Sequence, residues 1–365
     1  MLPERITVLG GGNTAFSVAA NLALAGSAVL LWEHPAMAAS IAPLRDHRTI
    51  HLEGTERTGA AVLAGVTTDI AEALAWSETV LMSAPAYAHR AFAEACAPHL
   101  RPGHLVALLP GTLGALEFAR IVHQAGARGV TLAEVDTSPY VCRKTGPDRA
   151  VIWGAPSGLG AGVFPARRTE ATLPVLRACF PGTVAYPNVL ACGLSSLNPL
   201  MHPAGVLMNA GRIERSRGDF YFYEEGVTPA VVSVIEAVDA ERLALGRRLG
   251  LALLPVAEAF HRAGFGPAGD LWAVINGSKM LTALRAPGAI NSRWLTEDLP
   301  YGLVTWASLA QQVGVATPHM DALITLVSAV LQTDCRATGR SAADLGLAGL
   351  SPAEIATLME RGWEG

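Results

Sequence analysis

Ile6-Thr7-Val8-Leu9-Gly10-Gly11-Gly12-Asn13-Thr14-Ala15 is an apolar run that ends in three glycines and two small polar residues before a helical pattern begins. This is the GxGxxG/A spacing in the setting it requires, with a strand before it and a helix after it. Gly10 is placed to make the tight turn, and Gly12 to let a pyrophosphate approach the backbone. A small residue at Ala15 lets helix and strand close on each other. The phosphates of a dinucleotide would rest on the N–H groups of the helix N-terminus, which Asn13 and Thr14 open. The helix is predicted over 15–25, ending at Gly26, and a second strand over 28–32 leads into Glu33. That acid stands ~20 residues beyond the loop, where a carboxylate holds the adenosine ribose hydroxyls. A carboxylate there repels a 2′-phosphate, so the spacing favours NAD. His34 and Arg45 are near enough in sequence to leave NADP open.

The rhythm continues outward from the loop. Strands predicted at 79–83, 105–109 and 130–134 alternate with helical stretches at 70–76, 88–97 and 116–125. Alternation of this kind gives an α/β Rossmann domain on a mostly parallel sheet. The Gly- and Thr-rich stretch 49–67 reads as a polar hairpin, and strands at 150–153 and 184–186 flank a helix near 170–179. Two strands leave the sheet through proline, in Ser83-Ala84-Pro85 and Leu109-Pro110-Gly111. Ligands of open α/β sheets bind at these carboxyl ends, so Ala84, Pro85 and Pro110 are candidates to line the nicotinamide ribose; turn chemistry alone would also place them there. From about residue 190 strand patterns give way to helical ones at 190–215, 229–249, 255–263, 302–312 and 319–333. The expected division is a Rossmann domain over 1–188 and an all-α domain over 189–365.

Composition narrows the partners. The chain has 365 residues, 51% of them hydrophobic and 16% charged, enough for two buried cores. Its mean hydropathy of +0.33 raises the question of membrane spans. The most apolar runs, 249–260 and 322–331, fall short of the ~20 residues a spanning helix needs. A net charge of −4 with scattered basic residues offers no footprint for nucleic acid. Five dispersed cysteines without a CxxC pair suggest reduced thiols and a cytoplasmic location, and no signal peptide is evident. No cysteine or histidine spacing suggests a metal site, and a homodimer is compatible with the composition.

The second half holds one polar cluster in an apolar stretch, Leu197-Asn198-Pro199-Leu200-Met201-His202-Pro203-Ala204. A partly buried neutral imidazole at His202 can exchange a proton near pH 7, as hydride transfer at a carbon bearing O–H or N–H requires. A satisfied core histidine would give the same pattern.

At this point the chain resembles the octopine/nopaline (opine) dehydrogenase family, closest to its bacterial N-(1-carboxyethyl)norvaline dehydrogenase type. The likeness runs through the Gly10–Ala15 loop, Trp32-Glu33, Pro110-Gly111-Thr112, Pro139-Tyr140-Val141-Cys142-Arg143 and Asn198-Pro199-Leu200-Met201-His202-Pro203. It continues in Tyr223-Glu224-Glu225-Gly226, Val238-Asp239-Ala240-Glu241-Arg242 and Asn291-Ser292-Arg293-Trp294-Leu295-Thr296-Glu297-Asp298. The resemblance implies a Rossmann domain joined to a helical one with the active site in the cleft between them. It implies reductive condensation of an L-amino acid with a 2-oxo acid such as pyruvate, driven by NAD(P)H. The family's proton-transferring His–Asp pair falls on His202 and Asp298. Its position for carboxylate capture falls on Arg293, where an ion pair with Glu297 is the competing reading. Asn198 is a further candidate for the oxo acid or the nicotinamide, and Cys142 for lining the substrate cleft.

Two features depart from the family pattern. Asn13-Thr14 stand where smaller residues are common, and Asp136 is an acid where many members are neutral; facing the cleft, it would favour a cationic substrate. A hydroxy-acid or sugar-phosphate reductase on the same plan would use a lysine, yet the only lysines are Lys144 and Lys279. A non-catalytic NAD-binding sensor would have no need of both His202 and Asp298.

Overall fold

In a computed structural model, which describes residues 1–363, the chain forms two compact units. One comprises Met1–Gly193 together with the described chain from Leu358 on; the other is Leu194–Thr357. Among its described residues the first unit contains twelve strands. They are β1 (Arg5–Leu9), β2 (Ala28–Trp32), β3 (Thr49–Gly54), β4 (Gly59–Val62), β5 (Gly65–Thr67), β6 (Thr79–Met82), β7 (Leu105–Leu108), β8 (Thr131–Val135), β9 (Val141–Gly146), β10 (Arg149–Gly154), β11 (Gly160–Phe164) and β12 (Val184–Ala185). Eight form the main sheet in the order β12-β11-β8-β7-β6-β1-β2-β5. Its pairings from β5 through β8 are parallel, and β11 runs antiparallel to β8. Strand order reverses between β1 and β6, and open α/β sheets bind ligands at the carboxyl ends beside such a switch point.

The polar hairpin forms as β3–β4, but it joins β10 and β9 in a second, four-stranded sheet, β4-β3-β10-β9. The strand expected at 150–153 therefore belongs to this sheet and not to the main one. Three strands were not anticipated, the first being β5, which lies in the stretch read as a hairpin but pairs with β2 in the main sheet. β9, Val-Cys-Arg-Lys-Thr-Gly, is a charged edge strand with only partial burial. β11, Gly-Ala-Gly-Val-Phe, is wholly buried, and glycine weakens its strand signal. Gly162 is required there, because a β-carbon would come within 2.6 Å of Cys192 Cβ and Val189 Cα.

That contact also moves the domain boundary. Helix Val189–Leu194 packs on the sheet, with Gly193 against Leu113, so the division falls between Gly193 and Leu194 where the sequence suggested 188. The chain end is a second difference. Trp363 lies 5.0 Å from the Phe164 ring and 5.6 Å from His123, which attaches it to the first unit although 189–365 were expected to form one helical domain.

Among its described residues the second unit has helices and a single isolated bridge, Tyr221 to Arg285. The helix expected over 190–215 is three helices, Val189–Leu194, Asn198–Met208 and Ala210–Ser216. Pro199 starts the middle one, where its missing N–H is harmless. Two acids of Pro229–Arg248 organise the unit by capping other helices. Asp239 accepts from Val256 N and pairs with buried Arg242, which donates to the carbonyls of Leu194 and Leu254. Glu241 accepts from the N–H groups of His319 and Met320 at the start of Pro318–Leu331. Leaving either charge of the Asp239–Arg242 pair alone in the interior would cost roughly 3–5 kcal/mol. Among the described residues no helix is long and apolar enough to cross a membrane.

Candidate active site

The glycine loop connects β1 to helix Asn13–Leu24 at the switch point. Gly10 has φ 118° and donates its N–H to Trp32 O at 2.8 Å; a β-carbon would stand 2.2 Å from Ser83 O. Only glycine fits between these two strand ends. Gly12, in contrast, has nothing within 4 Å of its would-be β-carbon, and the helix it precedes carries no side-chain cap. Open space over uncapped N–H groups is what a pyrophosphate needs. Ala15 is fully buried against the turn.

Asn13 and Thr14 turn their side chains toward β9. Asn13 Oδ1 accepts from Lys144 N at 2.9 Å, and Thr14 Oγ1 lies 3.4 Å from Ser138 Oγ. Cys142 belongs to the same seam, its Sγ 3.9 Å from Thr14 Oγ1. It is half-buried beside the cofactor loop. Burial raises its thiol pKa, partly offset by Ser17 and Thr14, which suits a packing residue and not a nucleophile.

Glu33 is buried, with Oε1 accepting from His34 N at 2.8 Å and Oε2 from Ser40 Oγ at 3.2 Å. Its Oε2 lies 2.7 Å from the position of a Gly11 β-carbon, so the carboxylate looks onto the loop. Sequence reading missed Lys144 here. Its ammonium donates to Ser40 O at 2.6 Å and sits 3.5 Å over the Phe16 ring. Burial lowers its pKa, and the charge of Glu33 works against that shift. Ala84, Pro85 and Pro110 are half-buried at the exits of the neighbouring strands β6 and β7. Asp136 is held by Tyr186 Oη at 3.0 Å and Gly160 N at 3.1 Å, and burial pushes its carboxyl up to about 6 against those two bonds.

In the second unit His202 is buried in the middle of Asn198–Met208. Its Nδ1 lies 2.7 Å from Asp298 Oδ2, across 96 residues of sequence. Burial raises the pKa of Asp298 and the imidazole bond opposes the shift. Trp294 stacks on the imidazole face at 4.2 Å with a 3° angle between planes, and Phe222 meets Trp294 edge-on at 4.7 Å. Asn198 lies one helical turn before His202, on the same face and exposed. Arg293 is largely exposed and its Nε binds Glu297 Oε2 at 2.6 Å. The competing ion-pair reading of Arg293 thus has a physical basis.

Two π turns frame the imidazole. Val227 N–H reaches Phe222 O at 3.0 Å, and Leu303 N–H reaches Asp298 O at 3.3 Å, each spanning five residues. Such turns concentrate at functional sites because they re-aim side chains within a helix. Small residues let them close on the histidine helix, since a β-carbon on Gly205 would meet Phe222 Cζ at 2.5 Å. Trp294 and Tyr223 lie within the family motifs and Phe222 directly precedes one, yet periodicity carries no sign of a π turn.

Fold and site together define a Rossmann-type NAD(P)-dependent oxidoreductase with a helical second domain. Residues 185–331 match the family model for the NAD/NADP octopine/nopaline dehydrogenase alpha-helical domain. The chain is 35% identical to an opine dehydrogenase of Arthrobacter sp. (strain 1C), over 97% of this chain and 98% of that protein. An octopine dehydrogenase solved with NADH and agmatine superposes with a TM-score of 0.81 at 21% identity, covering 97% of this chain and 98% of the other. A yersinopine dehydrogenase with bound NADP+ gives a TM-score of 0.76 at 18% identity, covering 100% and 99%. The chain belongs to the opine dehydrogenase family.

Proposed function

We propose that the protein condenses the amino group of an L-amino acid with a 2-oxo acid such as pyruvate and reduces the resulting imine to a secondary amine, reversibly. The observation that carries the assignment of roles is the buried 2.7 Å contact of His202 Nδ1 with Asp298 Oδ2. Asp298 accepts the Nδ1 proton and so leaves Nε2 with its lone pair. In the oxidative direction Nε2 takes the proton of the substrate nitrogen, and in the reductive direction it returns it. Asp298 stabilises the imidazolium present between the two events. Condensation releases one water, and reduction consumes one hydride and one proton.

The residues present fit a dinucleotide: Gly10 and Gly12 give the pyrophosphate its approach, Glu33 the ribose its hydroxyl acceptor, and Ala84, Pro85 and Pro110 a partly open lining. When bound, the reduced cofactor supplies the hydride for the imine carbon. Glu33 supports NAD as the preferred form. Arg293 is assigned to a substrate carboxylate, with Glu297 aligning its fork, and Asn198 to a polar group of the oxo acid. The carboxylate of Asp136, occupied by Tyr186 and Gly160, gives no support to selection of a cationic substrate. Five free cysteines fit a reducing cytoplasm.

The test is NADH oxidation with pyruvate, glyoxylate and oxaloacetate, each against a panel of free L-amino acids. Amine-dependent oxidation supports the proposal. Oxidation by an oxo acid alone, enhanced by no amine, would make the protein a hydroxy-acid dehydrogenase.

A further inference from the structure

The proton-transfer group has a third member that neither the motifs nor the comparisons assign. Tyr223, on the π turn Phe222–Gly226, places its Oη 3.4 Å from His202 Nε2. The residue is only 5% exposed, and among the described residues its hydroxyl has no hydrogen-bond partner other than Nε2. Phenylalanine would fill the same apolar space against Phe222, 5.1 Å away edge-on. A hydroxyl buried in such surroundings is unfavourable unless it is bonded.

With Asp298 accepting the Nδ1 proton, Nε2 is an acceptor and the tyrosine must donate. We propose that Tyr223 is a positioning residue that acts through His202: before substrate binds, its O–H holds the Nε2 lone pair and fixes the ring in the tautomer the reaction needs, and it gives that lone pair up to the substrate nitrogen. The inference rests on the role proposed above for His202. Asp298 and Tyr223 then grip the imidazole at both nitrogens while Trp294 holds its face. A contact of 3.4 Å is long for a hydrogen bond, which lets an arriving substrate nitrogen displace the hydroxyl from Nε2.

The isosteric variant Tyr223→Phe tests this in two ways, with Tyr221→Phe as the control because that ring lies against exposed Arg285. The first needs no substrate. Ring-nitrogen resonances of 15N-histidine-labelled protein are recorded at alkaline pH, with His202→Ala used to assign position 202. The expected result is that Tyr223→Phe moves the Nε2 resonance and leaves Nδ1 in place, while Tyr221→Phe moves neither. An unmoved Nε2 resonance would overturn the proposal whatever the substrate proves to be. The second uses NADH, pyruvate and the amino acid that gives the fastest oxidation. The expected result is a fall in kcat of about tenfold, the weight of one hydrogen bond, with the KM for pyruvate and the Kd for NADH unchanged. A normal kcat, or a loss confined to NADH binding, would contradict it.

Discussion

Gly302 stands against Pro199 so closely that a β-carbon on the glycine would lie 2.5 Å from both Cβ and Cγ of the proline ring. Pro199 is one turn ahead of His202, and Gly302 belongs to the π turn that follows Asp298. The contact therefore sets how nearly the carboxylate approaches the imidazole. Gly302→Ala should force the two segments apart, with an overpacking penalty of about 1–3 kcal/mol. We expect kcat to fall while the Kd for NADH holds, since the cofactor loop lies in the other unit. Unchanged kcat would show that the carboxylate tolerates the displacement.

Arg293 is the residue for which two readings compete. Its pair with Glu297 is exposed, and such pairs contribute about 1 kcal/mol or less. Arg293→Ala should leave the melting temperature nearly unchanged and raise the KM of the carboxylate substrate by about tenfold or more. An unchanged KM would favour the ion-pair reading of Arg293.

Glu33 should make NADH the better cofactor, measured as kcat/KM against NADPH, and Glu33→Gln should narrow the difference. A much higher kcat/KM with NADPH would contradict the assignment.

Asp136 gives a pH dependence of stability. Its folded-state pKa is raised from 3.8 to about 6, so between these values the native protein holds a proton that the unfolded chain has lost. Stability from this group is fully present below about pH 4 and is lost as pH rises through about 6, on the order of 3 kcal/mol. Asp136→Asn keeps an oxygen for the Gly160 N–H, offers its amide N–H to the Tyr186 hydroxyl oxygen and removes the titration. Melting temperatures from pH 4 to pH 7 should therefore fall more, or rise less, for the native protein than for the variant. Parallel curves would show that the carboxyl titrates alike in both states.

The legibility of the molecule followed the range of its interactions. Strands β1, β2, β6, β7 and β8 and the glycine loop were readable because alternation and turn chemistry are local. β9 and β11 were not, since one is a charged edge and the other owes its burial to partners such as Cys192. His202 and Asp298 came from motif resemblance, and no spacing rule joins residues 96 apart. Tyr223, Trp294 and Lys144 stood within or beside the same motifs, but their roles depend on where π turns and a second sheet carry them.

The most direct measurement of the central claim is single-turnover NADH oxidation by His202→Ala beside a fluorescence titration of NADH. Loss of the imidazole should lower turnover by at least about 10² while NADH binds as before. Turnover close to that of the native protein would mean that proton transfer occurs elsewhere, and the account built on His202 and Asp298 would fail.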